Sequence, residues 1–170
     1  ASSEQTLVFN LGSQPSSYNP DVSLDDSTTM MSQNVFSGLL TMNNNEEIIP
    51  DLAESWDVSD DGLTYTFKLH KGVKWHDGED VKFTYEKIME SEGFLASALS
   101  AVDSMECPDD NTFVIKIKEA NAAFVSNLAW YGSAILPQHL YDTDEDWTKV
   151  EAATSKPIGT GPFKFVESKD

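Results

Sequence analysis

Arginine is absent from this chain of 170 residues. All 11 basic residues are lysine, against 29 aspartates and glutamates, for a formal net charge of −18. A field of that sign repels phosphate backbones and anionic headgroups. Without guanidinium there is also no bidentate fork for a phosphate or a base edge. No nucleic-acid partner is expected. The charge reads first as solubility and second as an attraction for cationic ligands.

Cysteine is nearly absent too. The lone Cys107 cannot close an internal disulfide, so the count says little about compartment. Its neighbours Glu106, Asp109 and Asp110 oppose a thiolate, which leaves Cys107 as a small buried hydrophobe. No run of 18 apolar residues exists, so no transmembrane helix is read. Ala1–Gln5 has neither a basic n-region nor an apolar h-region, so no signal peptide is read in this sequence. The nucleophile elbow Gly-x-Ser-x-Gly does not occur. Gly159-Thr160-Gly161-Pro162 lacks both a strand-to-helix pattern and the lysine of a phosphate loop. No catalytic set and no cofactor are therefore expected.

What is present is globular: 39% hydrophobic and 24% charged residues. The length suits one domain or two small lobes with a sizeable core. Thr6–Leu11 reads as a short buried strand running into a polar loop, Gly12–Pro20. Asp25, Asp26 or Ser27 can cap a helix carrying Met30, Met31, Asn34, Val35 and Gly38. Leu63, Tyr65, Phe67 and Leu69 alternate with polar residues, a half-buried strand. Ser55–Val58 is its hairpin partner across Asp60-Asp61-Gly62. Asp80 can cap a helix through Phe83, Ile88 and Met89, and a second helical stretch follows Gly93. Phe113, Ile115 and Ile117 alternate again after a turn at Pro108–Asn111. Asn121 can cap a helix through Phe124 and Leu128, and Phe163–Val166 starts another strand. Strands and helices mix without strict βαβ alternation, so the fold class is α/β in the mixed, α+β sense.

The metal signals are weak. Asp57–Gly62 matches the first half of an EF-hand loop, but position 12 is Lys68 instead of a bidentate glutamate. A hairpin turn explains it better. His70, His76 and Asp77 lack the i, i+4 spacing that puts two imidazoles on one helix face. No metal site is expected. Aromatics beside glycine or proline are more suggestive. Tyr18, Trp75 and Trp130-Tyr131 stand in loops, where rings can line a ligand cleft as well as cover a core.

Leu52-Ala53-Glu54-Ser55-Trp56, followed by Asp61-Gly62-Leu63-Thr64-Tyr65-Thr66-Phe67-Lys68-Leu69-His70-Lys71-Gly72-Val73-Lys74-Trp75-His76-Asp77-Gly78, resembles the signature of one family. It is that of the oligopeptide, dipeptide and nickel solute-binding proteins of ABC importers. Thr6–Val8 with Asn19-Pro20, Val35–Leu40, Asp110–Ile115 and Gly159–Phe163 resemble further landmarks of it. His70 stands where the family usually has arginine, and the segment after Gly78 is shorter than usual.

The resemblance implies a periplasmic-binding-protein-like lobe: the start of lobe I over 1–40, an inserted subdomain over 41–155, and a return to lobe I over 156–170. It implies a second lobe beyond Asp170, an extracytoplasmic location in the periplasm or as a cell-surface lipoprotein, and ABC permease subunits as partners. A peptide is the implied ligand, with a nickel chelate, an oligosaccharide or a sensor role as alternatives. Gln14, Ser16 and Tyr18 follow the first strand, where the family lines its cleft. Trp130, Tyr131 and Gly132, and Gly159, Thr160 and Gly161, are carried over by position. An unpaired sheet edge at Phe163–Val166 is expected to invite a dimer.

Overall fold

A computed structural model describes residues 10–23, 25–73, 78–91, 94–130 and 133–167. Of the expected first strand Thr6–Leu11, residues 6–9 lie outside the described residues, as does the Trp75 region, and Asn10 and Leu11 are in no strand.

Alternation builds the main sheet. Four antiparallel strands run in the order β3 (Ala53–Val58), β4 (Thr64–Leu69), β6 (Thr112–Ile117) and β5 (Val102–Asp109). The expected face of β4 points inward: Tyr65, Phe67 and Leu69 are buried, as are Phe113, Ile115 and Ile117 of β6. Phe67 pairs with Phe113 in register, and their rings lie 6.3 Å apart. β3 and β4 meet at the Asp57–Gly62 turn. There the Asp61 carboxylate accepts the Leu63 amide and Gly62 takes a φ of 70°. The left-handed backbone at this position is why glycine stands there. The stretch is a hairpin turn, as its sequence suggested.

Helices cover one face of this sheet. α2 (Gly78–Glu90) and α3 (Phe94–Leu99) place Val81, Tyr85, Ile88, Leu95 and Leu99 against the strands. Tyr85 lies 5.9 Å from Phe113, ring to ring. α4 (Phe124–Leu128) adds Phe124, 5.0 Å from Tyr65. A smaller core joins α1 (Asp26–Val35), α5 (Gln138–Tyr141) and α6 (Glu151–Thr154) through Met31, Val35, Phe36, Leu136, Tyr141 and Ala153. A two-stranded ribbon, β1 (Leu40–Met42) with β2 (Ile48–Pro50), contributes Leu40 to the larger core.

Several expectations need correction. The first helix is capped by Asp25 and ends at Val35; Gly38 falls beyond it, bridging to Ala134. Asp80 is no cap. It sits inside the first turn of α2, buried, and its carboxylate accepts the Gln138 amide at 2.7 Å. α4 begins only after Ala123, with Asn121 accepting the Ala123 amide ahead of the helix. Cys107 is half-buried, and its thiol donates to the Gly78 carbonyl. Phe163–Val166 forms no strand. Pro162 supplies no N–H, and the Phe163 amide donates to Asn34 at the end of α1 instead. No sheet edge exists there to support the expected dimer.

Candidate functional site

The loop before α1 is shaped by short polar side chains that bond to the backbone. Its centre is Asp25. This carboxylate accepts the Thr28 amide at 2.9 Å, the Ser16 hydroxyl at 2.5 Å and the Ser23 hydroxyl at 2.7 Å. Those bonds, Ser16 foremost, hold the Asp25 carboxyl well below the usual carboxylate range. The helix N-terminus favours the same charge. Farther along, Thr28 donates to the Ser17 carbonyl, and the Tyr18 amide donates to Ala153 at 2.9 Å. The loop is thus laid across α1 and stitched to α6.

This places the expected residues in three settings. Gln14 and Tyr18 line a depression of about 520 Å³, facing Lys156, Phe165 and Glu167. The Tyr18 ring meets Phe165 edge-on at 5.4 Å. Lys156 brings the depression its cation, and Glu151 holds that ammonium in an exposed ion pair at 2.6 Å. Ser16 is not among the residues lining this depression and spends its hydroxyl on the Asp25 cap.

Trp130 lines a separate groove of about 440 Å³ with Gln33, Phe36, Met42 and Asp51. Asp51 accepts the Gly38 amide at 3.1 Å, which fixes one wall of the groove. Tyr131 and Gly132 lie outside the described residues.

Gly159 and Gly161 pack against the end of α1. A Cβ on Gly159 would overlap the Val35 carbonyl oxygen and stand 2.7 Å from a ring carbon of Phe36. One on Gly161 would lie 2.6 Å from the Val35 carbonyl carbon. The backbone approaches too closely for any side chain. Thr160 between them has a buried hydroxyl with no hydrogen-bond partner among the described residues. The turn therefore backs Phe36, which also lines the Trp130 groove.

Sequence reasoning missed Phe165, Lys156 and Glu167 in one depression and Phe36 and Asp51 in the other. Phe165 sits in the aromatic alternation Phe163-Lys164-Phe165, which was read as a strand and not as a wall.

Comparison with known proteins shows what the whole chain is similar to. A protein of Brucella ovis, named among ABC transporter peptide-binding proteins, is 41% identical over 129 residues, covering 71% of this chain and 24% of its own. Heme-binding protein A of Haemophilus influenzae is 32% identical over 195 residues, covering 99% of this chain and 36% of its own. The solved oligopeptide-binding protein AppA of Bacillus subtilis, in complex with a nonapeptide, superposes with a TM-score of 0.80. It is 32% identical, over 92% of this chain and 33% of that one. The chain thus spans about a quarter to a third of the length of the relatives it matches. Residues 47–170 match the profile of the bacterial extracellular solute-binding proteins, family 5, middle region. The chain belongs to the bacterial extracellular solute-binding proteins of family 5.

Proposed function

We propose that this chain forms part of the peptide-binding component of an ABC importer and supplies one wall of its ligand cleft. The observation that carries this reading is the depression beside α1, where Gln14 and Tyr18 face Phe165, Lys156 and Glu167. Flat aromatic rings with a few polar tips suit a ligand whose backbone is polar and whose side chains vary. The likeness to peptide-binding relatives supports the choice of cargo.

In this reading residues 1–40 and 156–170 belong to one lobe and 41–155 to a subdomain inserted in it. The bonds from Gly161 and Phe163 back to α1 support that return. A second lobe closes over the ligand, and binding selects the closed state because contacts come from both walls. The closed form docks on permease subunits at the outer face of the membrane. A lipid anchor or a free periplasmic form would both serve.

Native mass spectrometry of the full-length protein, purified without denaturation, tests the cargo. Co-purifying species that fragment into amino acids support peptide transport. A heme or a nickel chelate in their place would move the protein to another branch of the family.

A further inference from the structure

Asn19 and Pro20 carry the ligand-facing loop into the interior, and Asp21 follows them. Asp21 is partly exposed as a residue, yet both of its carboxyl oxygens are buried and have no hydrogen-bond partner among the described residues. The Tyr85 hydroxyl of α2, the Tyr141 hydroxyl of α5 and the Asn19 side-chain amide are buried and unpartnered in the same way. All three of those residues are almost wholly buried. Tyr18 of the loop and Phe83 of α2 pack in the same small core as Tyr141, and burial first, then the Asp21 carboxyl, push both tyrosine hydroxyls up. Tyr85 belongs to the larger core and Tyr141 to the smaller. The Asp80–Gln138 bond joins α2 to α5, so the two hydroxyls lie along the seam of the two cores, on which the loop packs through Tyr18.

Unpaired polar groups in an interior are costly, and so many in one place call for a common partner. Their inventory is complementary: an amide and two hydroxyls able to donate, and a carboxyl able to accept. Asn19 Oδ1 already accepts the Asp21 amide at 3.0 Å, which fixes the Asn19 nitrogen as a donor. That surplus of donors suits water around a carboxyl better than a metal cation.

We propose that Asp21 is a positioning residue for the ligand-facing loop. Its carboxyl, joined through bridging water to Tyr85, Tyr141 and Asn19, locks residues 14–18 to α2 and α5. This rests on the reading that Gln14 and Tyr18 line the ligand site, and it names what sets their position.

Native-state amide hydrogen exchange on the 170-residue protein tests the latch without any ligand. Tyr85→Phe with Tyr141→Phe removes two oxygens and keeps both rings. This pair should speed exchange at the Tyr18 and Asn19 amides about tenfold or more, while Phe67 and Ile115 in the sheet stay within about twofold. Asp21→Leu should act like the pair, and Asp21→Asn, which keeps polar partners, should stay within about twofold of the parent. Unchanged exchange at Tyr18 and Asn19 in the phenylalanine pair overturns the proposal. Should Asp21→Leu lose sheet protection altogether, the phenylalanine pair decides alone. Peptide affinity of the same variants in the full-length protein separates the two readings. Faster loop exchange with unchanged affinity keeps the latch and removes Gln14 and Tyr18 from the ligand site.

Discussion

The carbonyl of Val35 accepts a hydrogen bond from the amide of Gly161 over 2.9 Å. Val35 ends α1, and its carbonyl would otherwise be one of the helix's orphan acceptors. A distant glycine turn closes the helix and backs Phe36, a residue that lines the same groove as Trp130. Gly161→Ala forces a Cβ into this backbone contact. It should cost about 1–3 kcal/mol, as overpacking does, measured by urea unfolding. Gly159→Ala should behave alike, since its Cβ meets the Val35 carbonyl oxygen and the Phe36 ring. An unaltered midpoint in both variants would contradict the packing described.

The sheet core should be less forgiving. Phe113 is fully buried between Phe67 and Tyr85. Phe113→Ala should destabilise the protein by about 3–5 kcal/mol, against less than about 1.5 kcal/mol for the volume-conserving Ile115→Leu. Thermal or urea denaturation reads both.

Two aspartates near the loop titrate with opposite consequences. Hydrogen bonds hold Asp25 below its ordinary 3.8, so its stabilisation is complete above that pH and drains away as pH falls toward its folded value. Burial holds Asp21 well above 3.8, so its contribution is complete below that pH and is lost as pH rises through its folded value. Asp25→Asn keeps a capping oxygen. Its deficit relative to the parent should therefore be widest above about pH 4 and shrink in stronger acid. Asp21→Asn should gain on the parent as pH rises. Urea midpoints across the acid range check both slopes, and parallel curves for parent and variants would refute them.

One wall of a clamp binds poorly. In the proposed reading a closed binding protein gathers contacts from two lobes, so the 170 residues alone should bind short peptides more weakly than micromolar. Calorimetry with di- to nonapeptides measures this, and micromolar affinity would show that the depression at Tyr18 suffices by itself.

The local pattern of the chain carried the sheet and its hairpin. Tyr65-Thr66-Phe67 and Phe113-Val114-Ile115 alternate because one face is buried, and period two is visible in any window of six residues. β5 was missed because its burial is irregular and it carries register shifts and Pro108, which hide the alternation. Asp80 was mistaken for a cap because its real partner, the Gln138 amide, is remote in sequence. The site was the least legible part. Gln14 and Tyr18 came from a resemblance, and Phe165 and Lys156 reach them only through the fold. Likewise, no local signal says that Asp21 turns inward, since an aspartate in a turn ordinarily faces water.

Native mass spectrometry of the full-length protein tests the central claim most directly. The account predicts bound peptides that leave on unfolding and are weakened by replacing Gln14 and Tyr18 with alanine. A protein that carries no peptide and gains none from a mixed peptide pool, or one that carries only heme or a metal chelate, would contradict it.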